Sequence, residues 1–280
     1  MKKLLYLSLL LIAFTANAQK GIIFKMKYLP NRSYNAITNM AMKVTLNLSG
    51  DNNLAASINP GGGPVNLDMT MNMDGTIKTG AKGADNTFPI TIGYKMGQMN
   101  MTMNGKKTDV PLPALTSKMT PIYGHVDESG KLRADSIGGT AIKDTSEKSI
   151  TAMMNAIQSA VKFPDKPLKV GDTFTQEMPF NLPISGIGMA MNAKVIYKLV
   201  SINAGKAYFD VEQTMDIKIP IKGDDLVITG AGNGKMVYSI KDSFPTDYKT
   251  DLMLKAKGKV TTLTIDGTAQ FGMDFKYTIN

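Results

Sequence analysis

Cysteine and tryptophan are absent from the chain, and histidine occurs once, at His125. The missing cysteine excludes a disulfide framework, a zinc-finger cluster, a thiol nucleophile and a thiolate-held iron–sulfur centre. A lone histidine leaves no partner for a two-histidine metal site, so histidine-assisted nucleophilic chemistry would rest on His125 alone. No segment after the first twenty residues is continuously apolar enough for a spanning helix. The formal charge of +9 comes from singly scattered lysines, with only Lys106 and Lys107 adjacent beyond the N-terminal region. Without an arginine cluster or an aromatic stacking set, that charge reads as a solvated surface, and no nucleic-acid partner is expected. Hydrophobic residues at 43% and charged residues at 20% place the chain among globular rather than disordered sequences.

What is present begins with a leader. Lys2 and Lys3 precede an apolar stretch from Leu4 to Phe14, and Ala16-Asn17-Ala18 supplies a small-x-small cleavage site. These are the three parts of a secretory signal peptide in order, with cleavage expected after Ala18 and a mature chain starting at Gln19. The destination is the periplasm or the exterior, with no transmembrane segment left after processing. With no cysteine behind the apolar stretch, lipoprotein processing is excluded.

Most of the mature chain alternates with period two, the mark of strands with one wet face. Gly21–Leu29, Tyr34–Leu48, Val65–Ile77, Phe88–Met103, Pro121–Val126 and Lys131–Ile137 read as strands. Between Val65 and Met73, Leu67, Met69 and Met71 share a face, while Asn66, Asp68, Thr70 and Asn72 take the other. Alternation resumes in Met189–Ile202, Lys206–Ile219, Leu226–Ile240, Tyr248–Lys257 and Thr261–Ile279. Asn59–Pro64, Gly80–Gly83, Asp127–Gly130, Asn203–Lys206 and Asp266-Gly267 read as loops or turns.

One stretch is helical in period. Ile150, Met153, Met154, Ile157, Ala160 and Val161 fall on one face, Asp144 and Glu147 form a capping box, and Pro164 terminates the segment. The expected organisation is therefore a signal peptide over 1–18 and a single β-rich domain over 19–280. That domain has N-terminal strands over 19–143, a helix over 144–163 and C-terminal strands over 164–280. Asn31-Arg32-Ser33-Tyr34 is echoed by Gly171-Asp172-Thr173-Phe174, and Met40-Ala41-Met42 by Met189-Ala190-Met191, which suggests two related halves.

The segment Phe163-Pro164-x-Lys166-Pro167-Leu168-Lys169-Val170-Gly171-Asp172-Thr173-Phe174, after an amphipathic helix, resembles a family of exported Bacteroidota proteins whose shared domain has no assigned function. The Ala18-Gln19 junction also looks like signal peptides of that phylum. Phe174 stands where the family usually has tryptophan. The resemblance implies export and a strand–helix–strand layout, and it carries over no catalytic residue. In architecture the layout is similar to periplasmic lipoprotein-carrier folds, which wrap a curved antiparallel sheet around a helix and an apolar cavity.

Sites of chemistry are few. His125 reads as an exposed strand histidine, and Asp127-Glu128 as turn residues, since neighbours on a strand point to opposite faces. Gly230-Ala231-Gly232-Asn233-Gly234-Lys235 matches neither phosphate-loop nor dinucleotide spacing and reads as a strand kink or hairpin crowded with glycine. Asp135-Ser136-Ile137 resembles a short O-glycosylation sequon. The 21 methionines are the unusual feature. Met69, Met71 and Met73, together with Met99, Met101 and Met103, form two thioether stripes, with Met154 and Ile157 facing them from the expected helix. These residues are the candidate lining of an apolar cavity. Thioethers at such spacing are also Cu(I) ligands, the alternative reading.

The expected fold is all-β with one helix, a large curved antiparallel sheet or half-barrel wrapping an amphipathic helix. The expected function is non-enzymatic binding of an apolar or lipid-like ligand in the cell envelope, with no cofactor. An envelope structural or interaction protein without a cavity is the other alternative.

Overall fold

The computed structural model describes residues 21–107, 120–128, 130–141, 162–184, 187–221, 224–260 and 262–280. The leader and nearly all of the expected 144–163 helix therefore lie outside the described residues.

The fold is all-β, and the described residues form a single antiparallel sheet of thirteen strands that does not close. In chain order these are β1 (Ser33–Gly50), β2 (Val65–Thr79), β3 (Phe88–Met103), β4 (Lys106–Lys107), β5 (Ile122–Val126), β6 (Leu132–Ile137) and β7 (Thr140–Ala141). They continue as β8 (Thr173–Ile184), β9 (Ile187–Asn203), β10 (Lys206–Ile221), β11 (Asp224–Ser239), β12 (Phe244–Val260) and β13 (Leu263–Ile279). A short helix, α1 (Asn52–Ile58), joins β1 to β2. The chain starts in mid-sheet at β1 and meanders outward to β7. It reappears at the opposite edge as β8, then meanders back until β13 pairs along the whole of β1. Short hairpins make this possible, as at Ala204-Gly205, where both residues take positive φ (48° and 73°).

Alternation in the sequence becomes two unlike faces. On β1, Tyr34, Ala36 and Thr38 are buried and Met40, Met42, Val44, Leu46 and Leu48 continue the same inner face. The outer face carries Asn39, Lys43, Asp68, Asn72, Asp210, Lys235, Lys249, Asp251 and Asp266, nearly all exposed. Cross-strand ion pairs lie on it, Lys218–Asp225 at 3.0 Å and Lys235–Asp210 at 3.5 Å.

Glycines on the inner face let the sheet bend inward. A Cβ at Gly232 would run into the Asp251 carbonyl oxygen, and one at Gly230 would stand 2.9 Å from that of Met253. β11 and β12 thus meet at a corner that only a residue without a side chain permits. The Gly230–Gly234 run is accordingly a kinked strand, paired throughout with β10 and β12, and not a hairpin.

The sealed core occupies one end of the sheet. One cluster gathers Phe24, Phe163, Leu168, Phe174, Tyr197, Phe209, Met236 and Tyr238; the other gathers Tyr34, Ile77, Phe88, Ile90, Ile92, Ile122, Val126 and Phe244. Residues 21–30 run across both. They do not form the expected strand: Ile22 makes an isolated bridge to Leu168, and the other backbone groups find scattered partners. Lys25 N–H donates to the Tyr238 hydroxyl at 3.4 Å, Lys27 N–H to the Ser243 carbonyl and Leu29 N–H to the Tyr34 hydroxyl at 2.7 Å. The alternation of Phe24, Met26 and Tyr28 records burial against a sheet face, without a neighbouring strand to pair with.

Two further expectations are corrected. Asp266-Gly267 is no turn: Asp266 pairs with Asn47 and Lys257 inside β13, and Gly267 is there because a Cβ would stand 2.9 Å from the Thr45 carbonyl oxygen. The echoed tetrads do open β1 and β8 in like manner, each entered through a left-handed residue, Asn31 (φ 55°) and Gly171 (φ 96°). The echoed methionine pairs, however, fall on β1 and β9, which hold different places in their halves.

Candidate apolar binding site

Register decides what the methionines do. Met69 and Met71 on β2 face Met101 and Met99 on β3, and on the other side they face Met42 and Met40 on β1. Met40 in turn faces Met273 on β13, and Met42 faces Phe271. The result is a row Met99–Met71–Met40–Met273 across four strands, beside a row Met101–Met69–Met42–Phe271. Directly paired residues project to the same face, so both rows lie on the inner face. Met103, Leu67, Val44, Ala269 and Leu254 form the next row.

The Met96-to-Met99 spacing, which breaks strict alternation, is absorbed by a bulge. Met73 pairs with Met96 and Met71 with Met99, so Asn72 alone faces Gly97 and Gln98. The extra residue restores phase and returns the β3 methionines to the inner face. Gly97 suits that position, since a Cβ there would lie 3.1 Å from the Asn72 carbonyl oxygen.

These rows belong to neither buried cluster. Met40, Met42, Met69, Met71, Met73, Met99, Met101 and Met273 are half-buried, and Met103 is 38% exposed. Beyond them Val65, Leu263 and Asn59 are buried at the far end of the sheet. The geometry is a trough of thioethers and aliphatic groups between two covered ends. Met154 and Ile157, expected to face the trough from a helix, lie outside the described residues.

At the boundary between trough and sealed core runs the row Tyr94–Gly75–Ala36–Tyr277. The two small residues leave room for the rings, and a Cβ at Gly75 would touch the Tyr94 ring at 3.6 Å. Tyr277 packs edge-on against Phe275 and Phe244, with centroids 4.4 and 5.0 Å away. Tyr28 also rests on Phe244, at 5.4 Å, and on Tyr34 at 5.3 Å. Burial raises the pKa of Tyr28 far above the usual phenol range, with the phenols of Tyr277, Tyr94 and Tyr34 adding to it. Burial, then Tyr94, does the same to Tyr277. Sequence reasoning missed this trio, because single tyrosines in separate strands carry no motif.

The other candidates stay apart from the trough. His125 Nδ1 lies 3.0 Å from Asp135 Oδ2, both side chains being about half exposed. Asp127 closes the hairpin turn to β6: its Oδ1 accepts from Lys131 N–H and its Oδ2 from Arg133 Nε. Among the described residues no group of three His, Asp or Glu side chains is placed to hold a metal ion. Ser136 pairs with Tyr123 and Ala141 within the sheet. A crevice of about 600 Å³ is lined mainly by outer-face residues, among them Glu212, Thr214, Asn233, Asp251 and Gln270, and not by the methionine rows.

No family model and no curated protein matches the chain. Among solved structures, a bacterial polysaccharide outer membrane secretin is similar at 9% identity and TM-score 0.31, over 89% of this chain and 100% of its own. OpdQ of Pseudomonas aeruginosa is similar at 8% identity and TM-score 0.24, over 88% of this chain and 99% of its own. Among the described residues no helix is long and apolar enough to cross a membrane.

Proposed function

We propose that this is an exported, non-enzymatic protein of the cell envelope that binds an apolar or lipid-like ligand along the inner face of its open half-barrel. The observation that carries this reading is the registered block of Met40, Met42, Met69, Met71, Met99, Met101, Met273 and Phe271, apolar, contiguous and left half-exposed. A contiguous apolar surface on a folded chain marks an interaction site, and methionine adapts its shape to varied ligands. The polarity of the sheet, wet outside and apolar inside, is the reverse of a membrane-embedded barrel and suits a carrier that shields its cargo.

The test is uptake of the fluorescent hydrocarbon diphenylhexatriene by delipidated protein. Met71→Asp, on the inner face, should abolish uptake, because a charge enters the apolar block unpaired. Thr70→Asp, one residue away on the exposed outer face, should leave it intact. Equal uptake by both variants would overturn the reading.

A further inference from the structure

Seven tyrosines of the inner face and its cover divide into two kinds. The hydroxyls of Tyr34, Tyr238 and Tyr248 are occupied: Tyr34 accepts from Leu29 N–H, Tyr238 donates to the Lys25 carbonyl at 2.6 Å, and Tyr248 accepts from Gln213 Nε2 at 2.9 Å. Those of Tyr28, Tyr94, Tyr197 and Tyr277 have no hydrogen-bond partner among the described residues; Tyr197 lies in the larger core cluster, stacked on Phe174 at 4.7 Å, while the other three gather at the end of the trough. Yet among those residues no sealed side-chain oxygen or nitrogen lacks a partner. The free hydroxyls are therefore not wholly sealed, and beside Tyr28, Tyr94 and Tyr277 lies the end of the trough. Tyr94 and Tyr277 project to the inner face through register, and Tyr28 and Tyr277 converge on the same Phe244 ring.

We infer that the ligand is an amphiphile bound head-inward, its uncharged ester or hydroxyl end hydrogen-bonded by Tyr28, Tyr94 and Tyr277 and its chain lying along the methionine rows. This rests on the apolar-ligand reading and gives that site its polar selectivity. Three phenols supply donors without any charge, and among the described residues no lysine or arginine acts on any of them. An ionised carboxylate brought there would be desolvated without a counter-ion, whereas an ester carbonyl can accept from a phenol O–H and an alcohol can either accept from or donate to one. From Thr38 to Leu46 the trough runs about 26 Å at ordinary strand rise, room for an extended acyl chain.

The experiment compares three pyrene-labelled chains of equal length, ending in a methyl ester, an ionised carboxylate or a methyl group. They are titrated into the full mature protein and into the triple variant Tyr28→Phe, Tyr94→Phe, Tyr277→Phe. The wild type should bind the ester about five- to tenfold more tightly than the hydrocarbon, the scale of one or two net hydrogen bonds, and the carboxylate more weakly than the ester. The triple variant should hold the hydrocarbon unchanged and lose the ester preference. Should the triple variant not fold, Tyr94→Phe alone should halve the preference or more. If the wild type binds no hydrocarbon, the apolar-ligand reading itself fails. If the hydrocarbon binds but the wild type shows no ester preference, or the triple variant keeps it, the head-inward assignment fails and the trough stands.

Discussion

Phe24 stacks on Phe163, with ring centroids 5.5 Å apart and planes 28° from parallel. Neither residue belongs to a strand, yet both are buried in the larger core cluster, where Tyr238 packs edge-on against each at 5.1 and 5.3 Å. The two stretches are therefore the cover of the sealed end of the sheet. The Ile22–Leu168 bridge, with N–H to O distances of 2.9 Å in both directions, clips them together.

Phe24→Ala should accordingly lower stability by about 3–5 kcal/mol, the range for deleting a buried aromatic side chain. Ile23→Ala, at a residue 51% exposed, should change it by less than about 0.5 kcal/mol. Urea unfolding of the two variants checks this. Similar midpoints would mean that residues 21–30 do not cover the core.

The corner at β11 and β12 gives a second expectation. Gly232→Ala places a methyl group against the Asp251 carbonyl oxygen and within 2.8 Å of the Leu252 Cα, so the backbones must move apart. A loss of about 1–3 kcal/mol follows, the usual cost of overpacking. Gly93→Ala meets nothing within 4 Å and has no positive φ, so it should be neutral or slightly stabilising. Thermal unfolding of the pair distinguishes a sharp corner from an ordinary strand.

The periodic part of this fold is legible in the sequence because period two is imposed by the pleat itself. Phe88–Met103 reads from alternation alone with the same bounds as β3, and Asp127–Gly130 reads as the turn between β5 and β6. What fails are places where a local signal has two physical origins. Asp266-Gly267 carries turn chemistry, but its glycine answers to Leu46 and Thr45 across the sheet. Residues 21–29 alternate because one side is buried, with no neighbouring strand to pair. β8 escapes notice because Pro179 and Pro183 interrupt it; at the sheet's edge a missing N–H is tolerated. Of the site, each strand's methionine face is visible in advance. The rows are not, since register between β1, β2, β3 and β13 is a property of pairs. Tyr94 and Tyr277 meet only through that register.

The buried phenols predict an alkaline limit to stability. Burial pushes Tyr248 up to about 12, against the lowering effect of Gln213, and raises Tyr28, Tyr94, Tyr197 and Tyr277 as well. In the unfolded chain these groups ionise near 10.0, so above that pH the unfolded state releases protons that the folded state retains. The stability they contribute is fully present below about pH 10 and is lost as pH rises through about 12. The urea midpoint should hold steady up to pH 10 and then fall, with phenolate absorbance appearing together with unfolding. Tyr248→Phe should make the fall shallower. A midpoint unchanged between pH 10 and 12 would contradict the burial of these rings.

Copper is where the methionine rows invite the sharpest alternative. Met99, Met71, Met40 and Met273 stand side by side, and Cu(I) takes thioether ligands. A copper site needs two to four sulfurs converging on one point. Neighbouring strands of a sheet hold their residues roughly 4.8 Å apart with side chains standing off in parallel, so four in a row span about 14 Å at the backbone. Convergence would require the side chains to lean together and abandon the contacts that now half-bury each of them. Apolar contact with a chain-like ligand requires no such rearrangement, and it uses Phe271, Leu67 and Val44 along with the sulfurs. Anaerobic competition titration should therefore show no tight stoichiometric Cu(I) binding. Replacing Met99, Met101 and Met103 together with leucine, which keeps volume and apolarity, should leave diphenylhexatriene uptake largely intact. A tight copper affinity abolished by that same triple change would make the rows a metal site, and the trough's apolar character would then be only the packing around it.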